Sequence, residues 1–134
     1  MGRLVNAGAG EISDRLTILA LKILTGSEQG RDVSAFEIER AALLSQIRSR
    51  TLNAKWFELV LELAAVNATI WHAEDDLRAL RPEAVPPAEG NDEGRQRVVA
   101  ALAFRTQRLN DRRAELVGQI NRDAGDAVTP EKLV

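Results

Sequence analysis

The sequence predicts an all-α protein, an antiparallel helical bundle in which a long helical hairpin carries a shorter N-terminal hairpin. Three observations predict it. Apolar residues recur at three- and four-residue spacing along most of the chain. Strand-like alternation is weak, and β-branched residues do not cluster. Three prolines and two glycines gather in residues 82–94 (PEAVPPAEGNDEG), where a hairpin would turn.

Each element has its own signal. Residues 1–9 read as an extended, poorly ordered tail. A first helix is predicted from about Gly10 to Leu24, with Ile12, Leu16, Leu19 and Ile23 on one face and Ile18 and Leu21 on another. A helix apolar almost all round belongs in the middle of a bundle. The stretch 25–30 reads as a turn with Gly26 as the helix stop. Ser34 and Glu37 form an S-x-x-E capping box that opens a second helix, which ends near Arg50. Residues 51–53 are a break or a kink before a third helix reaching Arg81. The fourth runs from about Arg95 to Arg122, stopped by Gly125, and Thr129-Pro130-Glu131 suits a short terminal turn. All of this fits one domain over 1–134, with 123–134 as a second poorly ordered tail.

The third helix carries two adjacent seams. One is strictly apolar: Leu52, Trp56, Leu59, Leu63, Val66, Ile70, Ala73, Leu77 and Leu80, at alternating spacings of four and three. The other begins apolar at Phe57, Val60 and Ala64, then becomes Asn67, Trp71, Glu74 and Arg78. The fourth helix matches with Val99, Leu102, Thr106, Leu109, Arg113, Leu116 and Ile120, and Asn110 lies beside that seam. Folding the hairpin about residue 88 sets Asn67 near Asn110 and Arg113. Glu11 and Asp14 join from the first helix. The candidate ligand-binding set is therefore Glu11, Asp14, Asn67, Trp71, Glu74, Arg78, Asn110 and Arg113. The same pattern also fits a buried ion network that merely fixes helix register.

Composition narrows the chemistry. With no cysteine, disulfides, thiol catalysis and thiolate metal sites are excluded. Net charge is −2, and the arginines of the fourth helix point to several faces, so nucleic acid is not an expected partner. The apolar run Leu16–Leu24 contains Thr17 and Lys22 and is too short to span a bilayer. No membrane insertion and a cytoplasmic location are expected. At about 1.5 Å per residue the third helix is roughly 45 Å long. A compact chain of this size is only about 36 Å across, so a homodimer that covers the projecting hairpin is expected. Glu11-x-x-Asp14 with Glu74-Asp75 suggests carboxylate chelation of Mg²⁺ or Mn²⁺. The second carboxylate pair such a site needs is missing, because Glu58 and Glu62 lie more than two turns from Glu74. No metal site and no cofactor is assigned. His72 falls on neither seam and reads as solvated.

Three segments carry a resemblance. They are Gly10-Glu11-x-x-Asp14-Arg15-x-Thr17-Ile18-Leu19-x-Leu21-Lys22, Asn67-x-x-Ile70-Trp71-x-x-Glu74-Asp75-x-Leu77-Arg78, and Asn110-Asp111-x-Arg113-Ala114 with Ile120-Asn121. In this order they resemble a bacterial family of small helical proteins that forms a domain of unknown function. Val117 departs from that pattern, standing where the family usually has a basic residue. The resemblance implies a setting beside glycosyltransferases and surface-sugar pathways, and no activity. The expectation is a binding or adaptor protein that holds an anionic small molecule or a partner at the interhelical polar cluster. Arg78 and Arg113 would pair with the anion, Asn67 and Asn110 would orient it, and Trp71 would wall it. The alternatives are a metal-dependent hydrolase of a phosphate-containing substrate through Glu11, Asp14 and Glu74, and a purely structural coiled-coil oligomerisation module. Whether the protein is an enzyme is left open by the sequence.

Overall fold

A computed structural model describes residues 7–79 and 92–126. Its element order is α1 (Ala9–Glu28), α2 (Ser34–Arg48), α3 (Ala54–Ala79) and α4 (Asp92–Ala124), with no strand among the described residues. The protein is an all-α helical bundle, as the spacing predicts. Two antiparallel hairpins build it. In the first, Arg15 of α1 chelates Glu39 of α2 at 2.7 and 2.9 Å, and Lys22 lies 5.3 Å from the centre of the Phe36 ring. In the second, Arg112 of α4 reaches Glu62 of α3 at 2.7 Å. Those two residues are symmetric about position 87, within one residue of the axis expected from the seams.

Helix α1 is the hub, packed against α2, α3 and α4. Its Ile12 and Leu19 are fully buried with Leu63 of α3 and with Leu116 and Ile120 of α4. The apolar seam of α3 behaves as read: Leu59, Leu63, Val66, Ile70 and Ala73 are all buried. The second seam meets α1 only in its middle. Phe57 at one end and Glu74 and Arg78 at the other face solvent.

The helix ends differ from expectation in instructive ways. Gly26 does not stop α1, which runs on to Glu28. Gly26 is a buried helical seat for Val33, whose Cγ1 would lie 2.6 Å from a Cβ there. The stop is Gly30, at φ +71°, where Gly30 N–H donates to Ser27 and Arg31 N–H to Gly26. That pair of bonds is the Schellman pattern, which favours glycine because other residues resist a positive φ. The Ser34–Glu37 capping box does not form. Ser34 is the first helical residue, no side chain caps through Val33, and Asp32 accepts the Ser34 N–H at 2.9 Å instead. Residues 51–53 are a true break, and Asn53 caps α3 by accepting the Trp56 N–H at 3.1 Å.

Helix α4 begins earlier than expected, at Asp92, so 92–94 of the anticipated loop are helical. Its stop at Gly125 is as read, with φ +78°. Residues 123–126 of the expected tail are ordered by that turn, and Ala7 to Ala9 are buried rather than loose. The Thr129-Pro130-Glu131 turn and the end of α3 beyond Ala79 lie outside the described residues. No helix among the described residues is long and apolar enough to cross a membrane.

Helices α1 and α4 touch backbone to backbone at Gly10. A Cβ there would sit 2.2 Å from the Val117 carbonyl oxygen, which is fixed by its own helix and cannot yield. Gly10→Ala must therefore push the two helices apart. An overpacking loss of about 1–3 kcal/mol is expected in chemical denaturation; a change under about 0.5 kcal/mol, the ordinary range of a surface substitution, would contradict this contact.

Candidate functional site

The polar groups of α1 are the starting point, because a helix at the centre of a bundle cannot leave them unpaired. Asp14 lies where α1 crosses the second hairpin. Arg113 of α4 grips its carboxylate with both arms, Nε to Oδ1 at 2.9 Å and Nη2 to Oδ2 at 2.6 Å. Asn67 of α3 donates from Nδ2 to the same Oδ1 at 2.8 Å and to the Thr17 hydroxyl at 2.7 Å. Thr17 in turn donates to the Asp14 carbonyl at 2.8 Å. One carboxylate thus ties three helices. Bidentate arginine–carboxylate contacts are short, directional and stronger than neutral hydrogen bonds. The hydrogen bond to Asp14 raises the Arg113 pKa, burial opposes that rise, and the charges of Asp14 and Glu74 add to it.

A second cluster closes the N-terminus of α1. The fully buried Asn121 accepts the Gly10 N–H at 2.7 Å and donates to both Glu11 oxygens at 3.0 and 3.2 Å. Asp126 accepts the Ala9 N–H at 2.7 Å. Asp126 is placed by the Gly125 turn, in which its own N–H returns to the Asn121 carbonyl at 2.8 Å. Arg50, just beyond α2, joins Asp126 at 3.3 Å and the Ala7 carbonyl at 2.8 Å. The first helix therefore takes its N-terminal caps from the far end of the chain, where unmade backbone donors and the helix dipole favour oxygen ligands.

The eight residues expected at one cluster divide. Asp14, Asn67 and Arg113 do come together. Glu74 is close enough for its charge to act on Arg113, but it stands in solvent. Glu11 belongs to the second cluster. Trp71 is half-buried; Asn110 is half-buried too and spends its amide on the Thr106 carbonyl at 3.1 Å. Arg78 is exposed and pairs with Asp75. Among the described residues no three carboxylate, histidine or cysteine groups gather as a metal-binding set, and His72 is exposed. Sequence reasoning missed Ser13, Asn121, Asp126 and Arg50 as partners. Of these only Asn121 carried a signal, as part of the Ile120-Asn121 segment of the resemblance.

Beside the clamp lies an apolar groove of about 400 Å³ between α1 and α3, lined by Ser13, Leu16, Thr17, Trp56, Val60 and Ala64, among others. The clamp shapes its walls. Ser13 accepts the Trp56 indole N–H at 3.0 Å, and Thr17 holds Asn67. Leu21 and Leu24 continue the α1 wall, and none of the lining side chains is charged.

No family model matches the chain, and no curated protein or solved structure matches it either. The buried cap at Asn121 and the exposed end of α3 at Glu74 make separable demands on stability. Asn121→Ala removes a cap and strands the Gly10 N–H, so a loss of about 2–3 kcal/mol is expected in urea unfolding. Glu74→Gln, at an exposed position, is expected within about 0.5 kcal/mol of wild type. A reversed order would move the structural weight to the outer end of α3.

Proposed function

We propose that the chain is a non-catalytic binding or adaptor module that recognises apolar side chains of a protein helix in the α1–α3 groove. The observation that carries this reading is a division of labour on α1. Every buried side-chain polar atom among the described residues already has a partner, and Asp14 and Arg113 are engaged with each other. The large concave surface beside them is uncharged and apolar. Pockets that bind through burial are lined mainly by apolar groups, with a few fixed polar ones setting orientation. Ser13, Thr17 and the Trp56 indole are such groups here. A setting in surface-glycan assembly belongs to the same proposal and rests on the motif resemblance alone.

An anionic ligand at Arg113 has less support, because it must displace Asp14 from a bidentate pair, and Arg78 is likewise paired. A metal-dependent hydrolase has less support again, since Glu11 and Asp14 are held by different partners and Glu74 stands outside both clusters.

The test uses the hydrophobic dye bis-ANS at submicromolar protein, with Trp71→Phe so that Trp56 alone reports. Saturable dye uptake that quenches Trp56, weakened at least tenfold by Val60→Glu, is expected. Millimolar UDP-glucose or Mg²⁺ should leave the melting temperature unchanged, because only a ligand of the folded state raises it. Dye uptake indifferent to Val60→Glu, or a melting point raised by the nucleotide or the metal, would overturn the reading in favour of the polar cluster.

A further inference from the structure

The groove does not lie alone on its face. Immediately beside Val60 and Ala64, α3 turns Phe57 and Leu61 into solvent, 56% and 55% exposed, and Leu24 on the α1 wall is 61% exposed. Phe57 and Leu61 are four residues apart, so they stand one above the other on one helix flank. Continuing along α3, that flank presents Ala64 and Ala68 before any charge appears. Elsewhere on the surface the isolated Phe104 is covered by its own Arg108, whose guanidinium lies 5.3 Å from the ring centre. Phe57 and Leu61 have no such cover: no cation–π or polar contact is made over them among the described residues.

We infer that the helix received by the groove is α3 of a second copy of this chain, so that the protein is a two-fold symmetric dimer. The inference rests on the groove reading above and names its occupant. The groove needs a helix flank that offers large apolar side chains one turn apart and carries no charge. This chain presents that flank next to the groove itself. In a two-fold pair the same patch meets itself, and each contact occurs twice. With knob and hole adjacent on one face, antiparallel α3 helices place the Phe57–Leu61 ridge of each copy over the groove of the other. The groove lining and the Phe57–Leu61 ridge carry no charge, so the centre of the contact desolvates no ion, and Glu58 and Glu62 on the adjoining flank of α3 stay at its rim.

The area is of the right order. An aromatic side chain offers about 150–250 Å². Phe57, Leu61 and Leu24 together therefore leave on the order of 300 Å² of apolar surface in water before the groove walls are added. That already reaches the size of the largest apolar patch of a typical monomer, which is often an interaction site. Ringed by the polar flanks of both helices, it supplies the apolar centre of an interface of roughly 800 Å² per partner.

Sedimentation equilibrium of the full chain, from submicromolar to high micromolar, tests the inference. Its companions are Leu61→Arg, Phe57→Glu and, as a control on the opposite helix, Phe104→Arg. All three positions are exposed, so the variants keep the fold, which their circular dichroism and urea midpoints verify. Wild type and Phe104→Arg are expected at twice the 14.7-kDa chain mass at the upper concentrations. Leu61→Arg and Phe57→Glu should raise the dimer dissociation constant at least 100-fold. Bis-ANS uptake per chain should fall as wild-type concentration rises, since a second copy then fills the groove. A monomer at every concentration with constant, Val60-dependent dye uptake would overturn the self-pairing and leave the groove reading standing. A dimer that survives both α3 substitutions would overturn it as well, placing the interface elsewhere. Loss of Val60-dependent uptake at every concentration, with a monomeric chain, would remove both.

Discussion

The structure depends on the carboxylate of Asp14. It is the point at which α1, α3 and α4 are held at a single level, by two bonds from Arg113 and one from Asn67. Apolar packing alone does not fix that level. The seams of α3 and α4 repeat every three or four residues, so a slide of one turn would still bury leucine against leucine. A bidentate ion pair tolerates no such slide. With one partner removed, the other is left charged and mostly desolvated, which costs far more than the pair itself contributes. Hydrophobic burial makes this protein compact, and Asp14 makes it a particular bundle.

The caps at the N-terminus of α1 extend the same logic. Asn121 and Asp126 reach the first amides of a helix more than 110 residues away in sequence. They do so because Gly10 lets the Val117 carbonyl approach and because Gly125 turns the chain back. Small residues at 7–10 therefore serve contact rather than looseness. The groove starts at the level of the Asp14 clamp, at Ser13 and Thr17, and continues along α1 to Leu24. Two of its walls are tied by polar bonds, Trp56 to Ser13 and Asn67 to Thr17.

How much of this was legible in the sequence depended on the range of each interaction. The α3 seam and the Gly125 stop were readable, since periodicity and turn chemistry are local. Asp14, Asn67 and Arg113 were readable as interhelical because a polar residue inside an apolar stripe must meet a partner. Their division from Glu11, Trp71, Glu74, Arg78 and Asn110 was not. It is decided by how far along α3 the first helix reaches, a tertiary quantity that spacing does not contain. Gly26 was misread for a related reason: a buried glycine that admits Val33 looks in sequence like a helix stop. Ser34 was displaced from its capping role by Asp32, a competitor two residues away.

The most direct test of the central claim is a double-mutant cycle on Asp14→Asn and Arg113→Met, read by urea unfolding. Each side chain retains part of its exposure, 15% for Asp14 and 32% for Arg113, so the coupling should fall somewhat below that of a fully enclosed pair. A coupling energy of about 1.5–3 kcal/mol is expected, with the double variant more stable than the sum of the single losses allows. Additive losses, with coupling below about 0.5 kcal/mol, would contradict the account. The bundle would then be set by its apolar seams, with Asp14 and Arg113 as passengers.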